Sequence, residues 1–275
     1  GFEAVDVLPT LTKKATEWIG SHKDGPFFLY LALNSPHTPL NPTPEWRGKS
    51  GIGTYGDFVM ETDWAIGQVV QAVDRAGVGD NTMILLTSDN GCAPYIGSST
   101  NIDPMPHTQT DVRELEALGH FASGDRRGYK SDAWDGGHHV PFIVRWPKTV
   151  KAGTTSDRLV CQVDFMATCA AIAGCKIPDG AAEDSFNLLP LLQGDDRPVR
   201  ETLVHHSIAG RFAIRENKWK LVLCPGSGGW SDPKDAQATK QGLPAVQLYN
   251  LADDIAEQHN LEASHPEVVK TMTVL

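Results

Sequence analysis

The stretch Thr82-Met83-Ile84-Leu85-Leu86-Thr87-Ser88-Asp89-Asn90-Gly91 joins a short, unbroken apolar run to a polar, turn-forming tail. An apolar run of this length predicts a strand covered on both faces, and the polar tail then leaves the sheet at the strand's carboxyl end. The same pattern occurs upstream, where residues 27–33 are continuously apolar and run into Asn34-Ser35-Pro36-His37-Thr38-Pro39. Between the two, Val59, Ile66, Val69, Val70 and Val73 predict a long amphipathic helix over residues 55–76, ended by Gly77 and Gly79. Strand, helix and strand in this order predict an α/β fold, whose ligands lie outside the carboxyl ends of parallel strands. The loops carrying His37 and Asp89-Asn90 are therefore candidates for one shared site.

Working outward, Leu8, Leu11, Ala15, Trp18 and Ile19 have helical spacing over residues 8–21, with Asp6 as a cap and a break at Lys23-Asp24-Gly25-Pro26. Residues 140–146 and 158–163 read as strands, and residues 165–173 as a helix with Asp164 near its start. Residues 92–127 are polar and irregular, as a long surface loop would be. After a linker over 190–200 come short strands at 202–206, 211–216, 218–224 and 245–251, then a terminal helix from Pro266. That tail predicts a small antiparallel sheet, so the chain divides into residues 1–192 and 193–275.

The composition is that of an ordinary globular protein: 275 residues, 40% hydrophobic and 21% charged. No apolar run approaches the roughly 18 residues needed to span a bilayer. The net charge of -10, with no basic stripe, excludes nucleic acid as an expected partner. Five cysteines without a C-x-x-C pair indicate neither a zinc knuckle nor a disulfide framework.

Asp89 and Asn90 set an anionic and a neutral oxygen side by side, which a hard divalent cation accepts. The same residues are also common turn formers. In Arg126-Arg127-Gly128-Tyr129-Lys130-Ser131-Asp132-Ala133-Trp134-Asp135-Gly136-Gly137-His138-His139, Lys130 offers a point charge to an oxyanion, and the double glycine permits close backbone approach. Taken alone, Arg126 and Arg127 read more readily as a solvated surface pair, and His138 or His139 as a packing histidine, than as substrate contacts. His37, between Pro36 and Pro39, is held in a restricted loop, as a general acid or oxyanion donor must be.

These segments, with Val140-Pro141, Val163-Asp164 and Leu248-Tyr249-Asn250-Leu251, stand in one order along nearly the whole chain. In that order they resemble a type I sulfatase, of the arylsulfatase A-like kind within the alkaline phosphatase superfamily. The resemblance implies a mixed sheet sandwiched by helices, with a small carboxyl-terminal antiparallel subdomain. It also implies that Asp89 and Asn90 ligate Ca2+, that Lys130 holds the sulfate group, and that His37 contacts sulfate or the leaving oxygen. Family members usually carry Glu and Arg where this chain has Asp135 and His139, so His139 is expected as a weakened substrate contact.

The family's nucleophile is a formylglycine made from Cys or Ser within Cys-x-Pro-x-Arg or Ser-x-Pro-x-Arg, and neither segment occurs in this sequence. The expectation is thus the carboxyl-terminal part of a sulfatase, with the formylglycine outside this chain. The missing amino-terminal half would then be its partner, and activity of the 275 residues alone would be in question. The implied substrate is a sulfated carbohydrate or small aryl sulfate, and the implied location is periplasmic, secreted or lysosomal. Two other functions compete: a phosphoester or phosphonate hydrolase of the same superfamily, and a non-catalytic protein that binds a sulfated glycan.

Overall fold

A computed structural model describes residues 3–96 and 111–275. In chain order its elements are α1 (Val7–His22), α2 (Thr54–Arg75), β1 (Ile84–Thr87), α3 (Val112–Ala117), β2 (Phe142–Arg145), α4 (Phe165–Ala173), α5 (Leu189–Leu192), β3 (Thr202–His206), β4 (Phe212–Glu216), β5 (Trp219–Val222), α6 (Asp235–Lys240), β6 (Gln247–Asn250) and α7 (Pro266–Thr273). This is the expected α/β architecture, a sheet flanked by helices and a small antiparallel sheet near the carboxyl terminus. Among the described residues β1 pairs with β2, and β3-β4-β5-β6 form one four-stranded antiparallel sheet.

The chain divides into two compact units: Gly1–Leu85, Ala93–Ala122 and Arg145–Lys148 form one, and Leu86–Cys92, Ser123–Val144 and Thr149–Leu275 the other.

In the first unit α1 packs along α2, because Ile19, Ala72 and Val73 are buried against one another and Trp18, Leu29, Val69 and Ile84 close the cluster. Near the start of α2, buried Asp57 accepts the N–H groups of Gly48 at 2.7 Å and Ser50 at 2.8 Å. Burial opposes its charge, but the hydrogen bonds outweigh burial and its pKa is lowered. Gly77, at φ +74, ends the helix in the left-handed conformation that a side chain disfavours.

Three expectations about this region are corrected. Asp6 stands at the N-cap of α1, but its side chain makes no capping hydrogen bond, and a 3-10 turn (Ala4–Asp6) leads into the helix instead. Residues 27–33 form no strand: Leu29 joins the helical core while Phe28 and Tyr30 are 76% and 82% exposed. A strand exists through its partner's backbone hydrogen bonds, and apolar composition does not supply them. The irregular stretch 92–127 contains α3, whose N-cap Asp111 accepts the Arg113 N–H at 2.9 Å. Residues 97–110 of that stretch lie outside the described residues.

In the second unit the four-stranded sheet is covered on both faces. Ile214, Leu221 and Leu248 pack with Met272 of α7, while the alternate positions Ala213, Val222 and Tyr249 pack with Ala133 and Trp134. The register sets Ile214 opposite Leu221, and Leu221 opposite Leu248, so one continuous apolar stripe crosses three strands. Each fully buried leucine of that stripe contributes about 1.5–3 kcal/mol. Pro266 opens α7 in its first turn, where its missing N–H costs nothing.

Residues 158–163 are not a strand. The Cys161 N–H is taken by Asp164 Oδ2 at 2.7 Å, and the chain turns into a 3-10 segment (Gln162–Asp164) before α4. Asp164 is buried and ion-paired with Arg200, so it fixes the linker rather than capping α4.

Candidate active site

The Lys130 turn belongs to the second unit and is organised by Asp132, which is fully buried. Its carboxylate accepts the N–H groups of Tyr129 at 2.9 Å, Trp230 at 3.0 Å and Ser231 at 3.1 Å, together with the Ser231 hydroxyl. Two separated loops are thereby held by one acceptor, at about 1 kcal/mol for each bond and more for those to a charge.

The loop following β1 docks on this turn. The Gly91 N–H donates to Gly137 O at 3.0 Å and the Lys130 N–H donates to Cys92 O at 2.7 Å, while within the turn the Gly136 N–H donates to Arg127 O at 2.7 Å. The approach depends on glycine: a Cβ on Gly91 would overlap the Gly136 carbonyl, and one on Gly136 would overlap the Gly128 carbonyl. The double glycine expected to allow close approach is crowded by the backbone of its own turn, at Arg127, Gly128, Tyr129 and Asp132, and it is Gly91 that lets the Asp89-Asn90 loop approach. Gln162 donates to Thr87 Oγ1 at 3.1 Å and to Ser88 O, holding the loop from the other end.

Asp89 is exposed, and its carboxylate makes no hydrogen bond or ion pair among the described residues. The Asn90 side-chain amide donates to Gly91 O at 3.0 Å, which leaves its Oδ1 to accept. One carboxylate and one amide oxygen are the right chemistry for a hard cation, which takes about six to eight oxygen ligands, so the pair fits as part of a ligand set. Among the described residues no group of three or more His, Cys, Asp or Glu side chains is arranged to hold a metal.

His139 is exposed, and its Nε2 accepts from Arg126 Nη2 at 2.9 Å. Burial and the adjacent guanidinium both lower its pKa, so its imidazole is neutral and the positive charge at this point is carried by Arg126. His37 lies in the first unit. Its Nδ1 is 2.6 Å from Thr38 O and its Nε2 is 3.5 Å from the Tyr95 hydroxyl. Since a carbonyl only accepts, the Nδ1 proton is donated to Thr38 O.

Beneath the Lys130 turn lies a charge cluster that the sequence reading did not find. Lys220, with no exposed side chain, sits 2.6 Å from Asp135 Oδ1 and 2.8 Å from Glu257 Oε1. The Asp135 N–H donates to Glu257 Oε2 at 2.6 Å. Arg127 stacks 3.6 Å from the Trp134 ring centroid and donates to Glu257 O at 2.8 Å and to the Tyr249 hydroxyl at 3.3 Å. Burial opposes ionisation of Asp135, but Lys220 outweighs it and the pKa falls well below the usual carboxylate range; burial raises that of Glu257. The expected interchange of Glu and Asp before the double glycine thus concerns a buried ion pair.

His138, on the same turn, donates from Nε2 to Asp132 O at 2.8 Å. Burial, and then the Lys220 charge, push its pKa from 6.5 down to about 4. The unfolded chain therefore takes up a proton that the folded chain refuses, and the resulting stability is present above pH 6.5 and lost as the pH falls towards 4. Urea melts over this window should show the decline, and His138→Gln should flatten it. An equally steep decline in the variant would assign it elsewhere.

Comparison with known proteins places this geometry in a family. The Sulfatase family model matches residues 9–175, and the model "N-sulphoglucosamine sulphohydrolase, C-terminal" matches residues 129–227. The chain belongs to the sulfatase family. It is similar to an N-acetylgalactosamine-6-O-sulfatase of Bacteroides thetaiotaomicron, with 36% identity over 98% of this chain and 50% of that protein. It is also similar to the steryl-sulfatase of Rattus norvegicus, with 30% identity over 95% of this chain and 46% of the relative. A solved structure from work on the metabolism of multiple glycosaminoglycans by the same bacterium superposes with a TM-score of 0.82, at 34% identity, covering 99% of this chain and 54% of that one. A protein solved in complex with k-i-k-neocarrahexaose gives a TM-score of 0.73 at 26% identity, covering 96% and 52%. The chain spans about half the length of the curated relatives it matches.

These matches correct the expectation of a carboxyl-terminal part alone. The Sulfatase model matches residues 9–175, more than half the chain, and the carboxyl-terminal model overlaps its end and runs on to residue 227. The inferences drawn from that expectation fall too: a formylglycine assigned outside the chain, a missing amino-terminal half as partner, and doubt over catalysis for want of the catalytic half. Among the described residues no helix is long and apolar enough to cross a membrane.

Proposed function

We propose that this protein is a sulfuric ester hydrolase of sulfated carbohydrates, with 6-sulfated N-acetylgalactosamine as the first substrate to try. The observation that carries the reading is the docking of the Asp89-Asn90 loop on the Lys130 turn through the Gly91–Gly137 and Lys130–Cys92 hydrogen bonds. A carboxylate and amide oxygen suited to a divalent cation are thereby joined to a lysine, and two cations offset the charge of a sulfate ester better than one. The sugar N-acetylgalactosamine is suggested by the name of the Bacteroides relative.

In this reading Asp89 and Asn90 contribute oxygens to the cation, calcium in the first instance, which draws charge from the sulfate oxygens when bound. Lys130 binds a further sulfate oxygen as a point charge. His37, its ring held by the Thr38 contact, is the candidate that the resemblance offers for the leaving oxygen. Arg126, held against His139, provides the positive charge that His139 itself does not.

The test is sulfate release from 6-sulfated N-acetylgalactosamine and from 4-nitrophenyl sulfate, with calcium and after chelation, beside the matched phosphate esters. Calcium-dependent release from the sulfates is expected. Faster turnover of the phosphates would move the protein to phosphoester hydrolysis, and binding of the sulfated sugar without turnover would make it a glycan-binding protein.

A further inference from the structure

The proposed reaction makes no use of the charge cluster beneath the turn. Lys220 and Glu257 are fully buried, and a buried ion pair is a poor device for stability alone, since apolar residues of similar volume do as well or better. What such a cluster does supply is a fixed position for each hydrogen-bonded group. Glu257 Oε2 holds the Asp135 N–H at 2.6 Å, and Asp135 is hydrogen-bonded to Lys220 through its side chain. Two residues on, Gly137 O accepts the Gly91 N–H, and Asp89 lies two residues before Gly91. Glu257 also keeps φ at +51, a left-handed conformation that non-glycine residues rarely adopt. Such strain persists only where the surroundings over-determine it.

We propose that Glu257, braced by Lys220, is a positioning residue for the Asp89-Asn90 cation pair, acting through the Asp135–Gly137 turn. The proposal rests on the function proposed above, and it extends the site to a residue that touches neither substrate nor cation. The role is that of an outer-shell group on a metal site, whose loss typically costs about 10–100-fold in metal affinity.

The experiment is calcium titration by calorimetry of the whole chain and four variants, with a thermal melt of each. Asp89→Ala should lose calcium binding. Glu257→Ala should weaken it about 10–100-fold. Glu257→Gln keeps one amide oxygen for the Asp135 N–H but turns its NH2 towards the Lys220 ammonium, so it should recover only part of the affinity lost in Glu257→Ala. Leu248→Ala, in the buried apolar stripe of the same sheet, should lower the melting temperature without changing the calcium Kd, which separates positioning from general stability. If Glu257→Ala binds calcium normally while Asp89→Ala does not, positioning by Glu257 is overturned and the cation site stands. If Asp89→Ala binds as the unsubstituted chain does, the site itself is refuted and the positioning role goes with it. Should Glu257→Ala yield no folded protein, Glu257→Asp, one methylene shorter, withdraws the acceptor while keeping the charge, and an unchanged Kd in that variant is equally decisive against the proposal.

Discussion

Asp89→Ala is expected to abolish calcium-dependent sulfate release while leaving the fold intact. The carboxylate is exposed and makes no hydrogen bond or ion pair among the described residues, so its removal should change stability by no more than about 0.5 kcal/mol. As a direct ligand it should matter more than an outer-shell group, giving a loss of calcium affinity beyond about 100-fold. The loop would still dock, because the Gly91 and Cys92 backbone bonds do not involve the Asp89 side chain. A melting curve, a calcium titration and a sulfate assay on one preparation separate these effects. Unchanged affinity and rate would remove Asp89 from the site.

Lys220→Met should have the opposite profile, with a large loss of stability. The methionine fills most of the aliphatic stem, so the change is mainly the removal of one charge from between Asp135, at 2.6 Å, and Glu257, at 2.8 Å. Both carboxylates are then buried without their cation, and breaking a buried pair in this way costs about 3–5 kcal/mol. Typical domains have only about 5–15 kcal/mol in total. Urea unfolding at neutral pH measures the loss, and adding Glu257→Gln should recover part of it by removing one orphaned charge. A single variant within about 1 kcal/mol of the parent would mean that water or Arg127 compensates, and the cluster could not then be rigid.

The parts of this fold legible in the sequence are those held by local periodicity. Helices α1 and α2 follow from the spacing of Trp18 and Ile19 and of Val69 and Val73, and the four strands of the tail from short apolar runs between turns. Residues 27–33 and 158–163 misled for a common reason, because apolar content was read as strand where the backbone has other geometry or no partner. In the candidate site, Asp89, Asn90 and Lys130 are each carried by a short motif, and their loops are joined by the Gly91–Gly137 and Lys130–Cys92 backbone contacts. The Lys220, Asp135 and Glu257 cluster left no comparable trace. Its members lie 85 and 122 residues from Asp135, and its bonds arise only once β5 is paired with β6. Asp135 before two glycines was the one clue, and without its distant partners it reads as a turn residue.

The stacked glycine backbones have a consequence for how the protein breathes. The amide protons of Gly91, Lys130 and Gly136 sit in segments that are loops by any reading of the sequence, yet each is closed onto a carbonyl within 3.0 Å. Exchange of the Gly91 and Lys130 amides with deuterium requires the two segments to part, and that of Gly136 requires its own turn to open, so these three amides should exchange with the buried strands of the tail rather than with surface turns. Two loops would then be among the slowest segments in the chain to open.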